Sequence, residues 1–210
     1  MKKKEPAEPA AVLSIPAMKL AVFELVLKGV SPLVTHKFSA QSQKAIEDKQ
    51  QQKPGMKKAA KDPDAEFRGG MHEVPGRPGV YGFPASGFKK AAVAACQYTE
   101  DLQRRSGYVR GAFHVLGDIV PIVDKNNRPV VPVVNTANVR VGGMTKVADV
   151  RYRPEFRGWY VKLRIRYNES AISPAQIANL YNLAGFSVGV GEMRPGKTAF
   201  SFGMFEVEAS

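Results

Sequence analysis

Cysteine is nearly absent: Cys96 stands alone in 210 residues. A lone thiol has no partner for an intramolecular disulfide, and its alanine-rich surroundings fit a small buried helix residue better than a nucleophile. Long apolar runs are lacking too, none approaching the roughly 20 residues of a membrane span. The amino end, MKKKEPAEPA, turns to proline and glutamate where a signal peptide needs an apolar core. A soluble, cytoplasmic chain is expected, with residues 1–17 a disordered tail. Negative charge is the third shortage. Asp and Glu number 19 against 31 Lys and Arg, giving a formal net charge of +12 and a pI near 9.8. Such an excess repels itself, and a polyanion is the simplest partner that offsets it. Charge alone does not separate a nucleic-acid binder from a structural protein that meets an acidic protein partner.

Histidine is scarce as well, at three residues. None has metal-ligand spacing such as HExxH, and no Ser, His and Asp arrangement can be placed. No cofactor, metal or catalytic residue is therefore expected. The enzymatic alternative, a metal-dependent RNA nuclease, would draw on His36, His72 or His114 with Asp62, Asp64, Glu66 or Glu73.

What is present is regular patterning. In MKLAVFELVLKG, Ala21, Phe23, Leu25 and Leu27 alternate with Val22, Glu24, Val26 and Lys28, the period of a strand with one buried face. Residues 39–78 are rich in Lys, Gln, Gly and Pro, the composition of a long, flexible, solvated insertion, with Lys57 and Lys58 among its cations. In YGFPASGFKKAAVAAC, Pro84 and Ser86 predict a helix start with Ser86 in capping position. Phe88, Ala91, Ala92, Ala95 and Cys96 then form a stripe of mostly small residues that lets the helix lie close to a sheet. Lys89 and Lys90 oppose the helix dipole there, and a phosphate held at the helix start would reverse that sign.

Residues 107–124 and 129–141 read as β-branched, turn-punctuated segments. In WYVKLRIRY, Trp159, Val161, Leu163, Ile165 and Tyr167 share one face, while Tyr160, Lys162, Arg164 and Arg166 share the other. Upstream, Arg151, Arg153 and Arg157 add cations, and Tyr152 and Phe156 add rings on which bases can stack. SPAQIANLYNLAG predicts a helix capped by Ser173, begun by Pro174 and ended before Gly185. Beyond it, Gly189 and Gly191 lack a phosphate-loop lysine and read as sites of close backbone approach. A last strand with Phe200, Phe202 and Met204 alternating is expected. The whole is an α+β chain, a ferredoxin-like βαββαβ core over residues 18–208 with the insertion after the first strand.

The succession of GVSPLVTHKF, YGFPASGFKKAAVAA and GFSVGVGEMRPGKTAFSFGMFEVE resembles the RAMP superfamily, the ferredoxin-like backbone subunits of CRISPR effector complexes. The closing segment also resembles that of bacteriophage-encoded proteins of unassigned role. The sequence departs from the superfamily at Phe88, where Leu is usual, and at Lys90, where Gly is usual. The resemblance implies that Ser86, Gly87, Lys89 and Lys90 lie at a nucleic-acid backbone, that His36 and Lys37 lie beside it, and that residues 39–78 act as a thumb. It also implies the host-cell cytoplasm if the chain is phage-encoded. The leading expectation is a non-enzymatic, largely sequence-independent binder of single-stranded nucleic acid, RNA or DNA, assembling side by side along the strand. A phage assembly protein with an acidic protein partner is the alternative.

Overall fold

The computed structural model describes residues 17–38, 44, 46–48, 50–51, 62–103, 105–141 and 147–208. Lys57, Lys58 and residues 1–16 lie outside them. Ten strands are described: β1 Leu20–Gly29, β2 Leu33–Val34, β3 His72–Glu73, β4 Tyr81–Pro84, β5 Phe113–Val115, β6 Ile119–Pro121, β7 Val133–Val141, β8 Val147–Phe156, β9 Tyr160–Asn168 and β10 Phe205–Val207. The helices are α1 Pro63–Gly69, α2 Ala85–Ala95, α3 Glu100–Gln103, α4 Ser106–Ala112 and α5 Pro174–Ser187. The molecule is α+β, with antiparallel sheets.

The main sheet has the order β10-β1-β9-β5, and every neighbouring pair is antiparallel. Its inner face is built by the alternation in β1 and β9: Leu25, Leu27, Val161, Leu163 and Ile165 are buried, while Lys162, Arg164 and Arg166 between them are exposed. α2 and α5 cover this face. Phe88, Ala91, Ala92 and Ala95 of α2 share the core with Ile177, Leu180, Tyr181 and Ala184 of α5. The alanine stripe brings the α2 backbone close to its neighbours, so most of the apolar burial comes from Phe88, worth roughly 1.5–3 kcal/mol. Cys96 is buried just past the end of α2.

α5 begins as its sequence predicts. The Ser173 side chain accepts from Gln176 N–H, Gln176 Oε1 accepts from Ser173 N–H, and Pro174 opens the first turn. It does not stop before Gly185, however, but runs on to Ser187. Gly185 serves instead to let the helix touch the β10 backbone, where a Cβ would collide with the Phe205 carbonyl.

Two smaller sheets flank the main one, β2-β8-β7 and β3-β4-β6. β7 and β8 pair over nine residues from Val133↔Glu155 to Val141↔Val147. In the insertion, residues 62–78 are structured: α1 packs on β8, β3 pairs with β4, and Met71 and Val74 are buried. Residues 107–112, at the start of the stretch expected as strand, belong to α4. The expected strand through Phe200, Phe202 and Met204 is displaced to Phe205–Val207, because Phe202 and Gly203 turn the chain with Gly203 at φ 65°. Among the described residues no helix is long and apolar enough to cross a membrane.

Candidate nucleic-acid interface

Three segments far apart in sequence enclose a groove of about 370 Å³. His36, just after β2, and His72 of β3 form one side. The first turns of α2 contribute Gly87 and Lys90, and residues 188–194 contribute Glu192 and Arg194. α2 enters this groove with Pro84 as its N-cap, and no side chain caps it. Ser86, expected to cap, sits inside the first turn, because the helix starts two residues earlier, with the Ala85 N–H donating to the Asp118 carbonyl at 2.8 Å. Gly87 is required by the Phe83 ring, which a Cβ would strike.

The wall formed by residues 188–194 explains its glycines. Gly189 and Gly191 have φ of 65° and 81°, and Gly191 lies against the Val34 carbonyl, which a Cβ would overlap. Glu192 N–H donates to Val34 O at 2.8 Å, Val190 N–H to Gly203 O at 2.9 Å and Gly203 N–H to Pro32 O at 2.8 Å. Arg194 Nη1 donates to the Gly191 carbonyl at 2.8 Å, which orients its guanidinium at the groove. Close backbone approach was expected at Gly189 and Gly191: a Cβ at Gly191 would overlap the Val34 carbonyl, and one at Gly189 would lie 3.1 Å from the Gly203 carbonyl.

Among the described residues that line it, the groove is cationic with one carboxylate. Lys90 is exposed, and Glu192 is paired with Lys197 at 3.5 Å. Burial holds the His36 imidazole below its usual pKa, and the positive charge of Arg153 pushes the same way. His72 is lowered for the same first cause, with Lys37 adding to it. Both rings are thus neutral near pH 7, with faces for base stacking and nitrogens for hydrogen bonding. Lys37 itself is exposed, its N–H donating to Gly70 O at 3.1 Å.

Lys89 departs from the expected phosphate role. Its Nζ turns inward, donating to Val109 O at 3.1 Å and Phe113 O at 2.6 Å, and lies 3.4 Å from the centre of the Phe113 ring. These carbonyls are at the last turn of α4 and just after it, where a cation complements the helix dipole. Burial lowers the amine to about 8. Its neighbour Lys90 has no carboxylate at ion-pair distance among the described residues.

The outer face of the main sheet keeps Lys162, Arg164 and Arg166 exposed, as the alternation predicts. Register adds what β9 does not contain. Arg164 stands opposite Glu24, Arg166 opposite Val22 and His114, Lys162 opposite Val26, and Tyr160 opposite Lys28. Lys28 is in turn paired with Glu206 at 3.1 Å. The face is mixed in charge and partly apolar.

The cations around β8 are largely engaged. Arg153 is 7% exposed and bonded to Glu66 at 3.0 Å. Arg151 pairs with Asp149 at 3.4 Å, and Arg157 with buried Glu155 at 2.6 Å. Phe156, expected as a stacking ring, is fully buried in the core, since β2 pairs with this end of β8 and covers it. Tyr152 and Tyr160 are half-buried. Three of the four acids of the nuclease alternative have structural partners: Asp62 caps α1, Glu66 holds Arg153, and Glu73 accepts from Gly79 N–H. Among the described residues no group of three or more His, Cys, Asp or Glu could hold a metal ion.

The groove thus gathers His36, Gly87 and Lys90 from the expected set and adds His72, Glu192 and Arg194. The signal for Arg194 was in GVGEMRPGK, where cations follow glycines closely. The loop that carries it also exposes the Phe200 ring, at 58%.

No protein-family model matches the sequence, and no curated protein matches it. Among solved structures the chain is similar to Cmr6 from Pyrococcus furiosus, at 11% identity and a TM-score of 0.47, over 91% of this chain and 100% of that one. At that identity and score, fold and function rest on the chain's own residues.

Proposed function

We propose that the chain is a non-enzymatic binder of single-stranded nucleic acid that grips the strand in the groove between α2 and residues 188–194. The observation that carries this is convergence: Lys90 and Arg194, from segments about a hundred residues apart, face one groove with two neutral imidazoles. Lysine and arginine attract phosphates, and His36, His72 and Phe83 offer ring faces on which unpaired bases stack at about 1–3 kcal/mol each. An overall charge of +12 supplies long-range attraction with little sequence preference. The order β10-β1-β9-β5, with α2 and α5 on one face, supports reading the core as ferredoxin-like, in line with the sequence resemblance to the RAMP superfamily. Side-by-side assembly along the strand belongs to the same proposal.

Fluorescent single-stranded RNA, single-stranded DNA and duplex DNA of equal length, titrated at two salt concentrations, test it. Tight single-strand binding that weakens steeply with salt is expected, and affinity indifferent to salt would sink it. Sedimentation with increasing strand length reads assembly.

A further inference from the structure

A second cavity, of about 690 Å³, lies on the opposite flank of α2, between that helix and α4. Lys90 and Ala94 line both cavities, so a single helix edge divides them and Lys90 stands on the divide. The two differ in charge. The first holds Glu192, whereas the described residues around the second include Lys89, Lys90 and Arg110 and no carboxylate.

Within the second cavity the cations are not equivalent. Lys89 is pinned to the Val109 and Phe113 carbonyls, so its ammonium is engaged within the wall and does not take a phosphate. Arg110, in the last turn of α4, is exposed. Ser86 and Ser106 add neutral hydrogen-bonding groups. A one-signed cavity that continues a cationic groove across a shared lysine suits an extended polyanion better than a small isolated anion.

We infer that the bound strand does not end in the first groove but passes over Lys90 into the cavity between α2 and α4, where Arg110 takes a further phosphate. This rests on the nucleic-acid reading of the first groove. Arg110 then contributes only to ligands long enough to cross the divide.

The test uses the full chain with labelled single strands of about 4 and about 16 nucleotides, the span of common single-strand sites. Each is titrated across salt against wild type, Arg110→Ala, Arg110→Lys and Arg194→Ala. Arg110→Ala should leave the short strand unchanged and weaken the long one about tenfold. Its salt slope for the long strand should fall by about 0.7, one phosphate contact. Arg110→Lys should restore the slope, and Arg194→Ala should weaken both lengths. Unchanged affinity of Arg110→Ala for the long strand, or equal losses on both lengths, overturns the path across α2 while leaving the first groove standing. Wild type that binds neither length overturns both, and leaves the cations to an acidic protein partner.

Discussion

The outer face of β9 and the groove beside α2 carry similar cations in opposite settings. On β9 three cations follow one another along a single strand, so the pattern is visible at a glance, yet β1 sets Glu24 opposite Arg164 and apolar Val22 and Val26 opposite the other two. In the groove no segment is conspicuous, but Lys90 and Arg194 meet from different elements with two histidines between backbone walls. A row of like charges on one strand is often the wet side of a sheet, neutralised by the neighbouring strand. Cations that converge on a concavity from separate elements have the geometry of a site.

The largest expected effect breaks this comparison directly. Replacing Lys90 and Arg194 together by Ala should weaken single-strand binding by about two orders of magnitude or more, since a hydrogen bond to a charged group contributes about 1.5–3 kcal/mol. Replacing Lys162, Arg164 and Arg166 by Ala should cost less than about threefold at moderate salt, where exposed charges are screened. The reverse ranking in the same fluorescence titration would move the site to the sheet.

A smaller effect sharpens the contrast within α2. Lys89→Met should lower thermal stability by about 1–3 kcal/mol, because two carbonyls lose their donor, while the salt slope of binding stays that of wild type. Lys90→Met should do the opposite. Thermal melts and salt titrations on the two variants separate the roles, and a reduced salt slope in Lys89→Met would return that lysine to the phosphates.

The smallest effect is a pH dependence. His36 and His72 have folded pKa values below the ordinary 6.5. As pH falls through 6.5 the unfolded chain takes up protons before the fold does, so stability declines on acidification and is recovered above that value. Binding moves the other way, because phosphates favour charged imidazoles, so affinity should rise as the rings protonate. Melts and titrations from about pH 7 to about pH 5 should show both slopes flattened in His36→Gln with His72→Gln. Parallel slopes in wild type and variant would remove the histidines from the groove's electrostatics.

Elements with a strict period were legible from sequence. The alternation in β1 and β9, the small-residue stripe of α2 and the capping box of α5 are local patterns, and local patterns need no partner to be read. Features set by a partner element were not. Gly185 looked like a helix stop because glycine often ends helices, but its role is set by the Phe205 backbone across the core. Phe156 and Arg153 looked like an exposed ring and a free cation until β2 and Glu66 were placed against them. Of the residues that line the groove, His36, Gly87 and Lys90 were among those named from sequence, whereas Arg194 depended on a loop whose course is set by contacts with Val34 and Pro32.

That loop is a closed ring. Its neck is tied by the bond from Val190 to Gly203, Gly203 is tied to Pro32, and Gly196 N–H reaches back to the Val188 carbonyl at 2.9 Å. Lys197 and Thr198 then donate their N–H groups to the Arg194 carbonyl, both at 3.0 Å, so the part of the tip that can be rewritten without loosening the groove wall begins at Ala199, with Phe200 exposed. A dye or a short reporter peptide built at Ala199 to Ser201 would therefore sit on the same loop as Arg194 while leaving its anchors intact. The ring offers a natural mounting point for an optical sensor of strand occupancy.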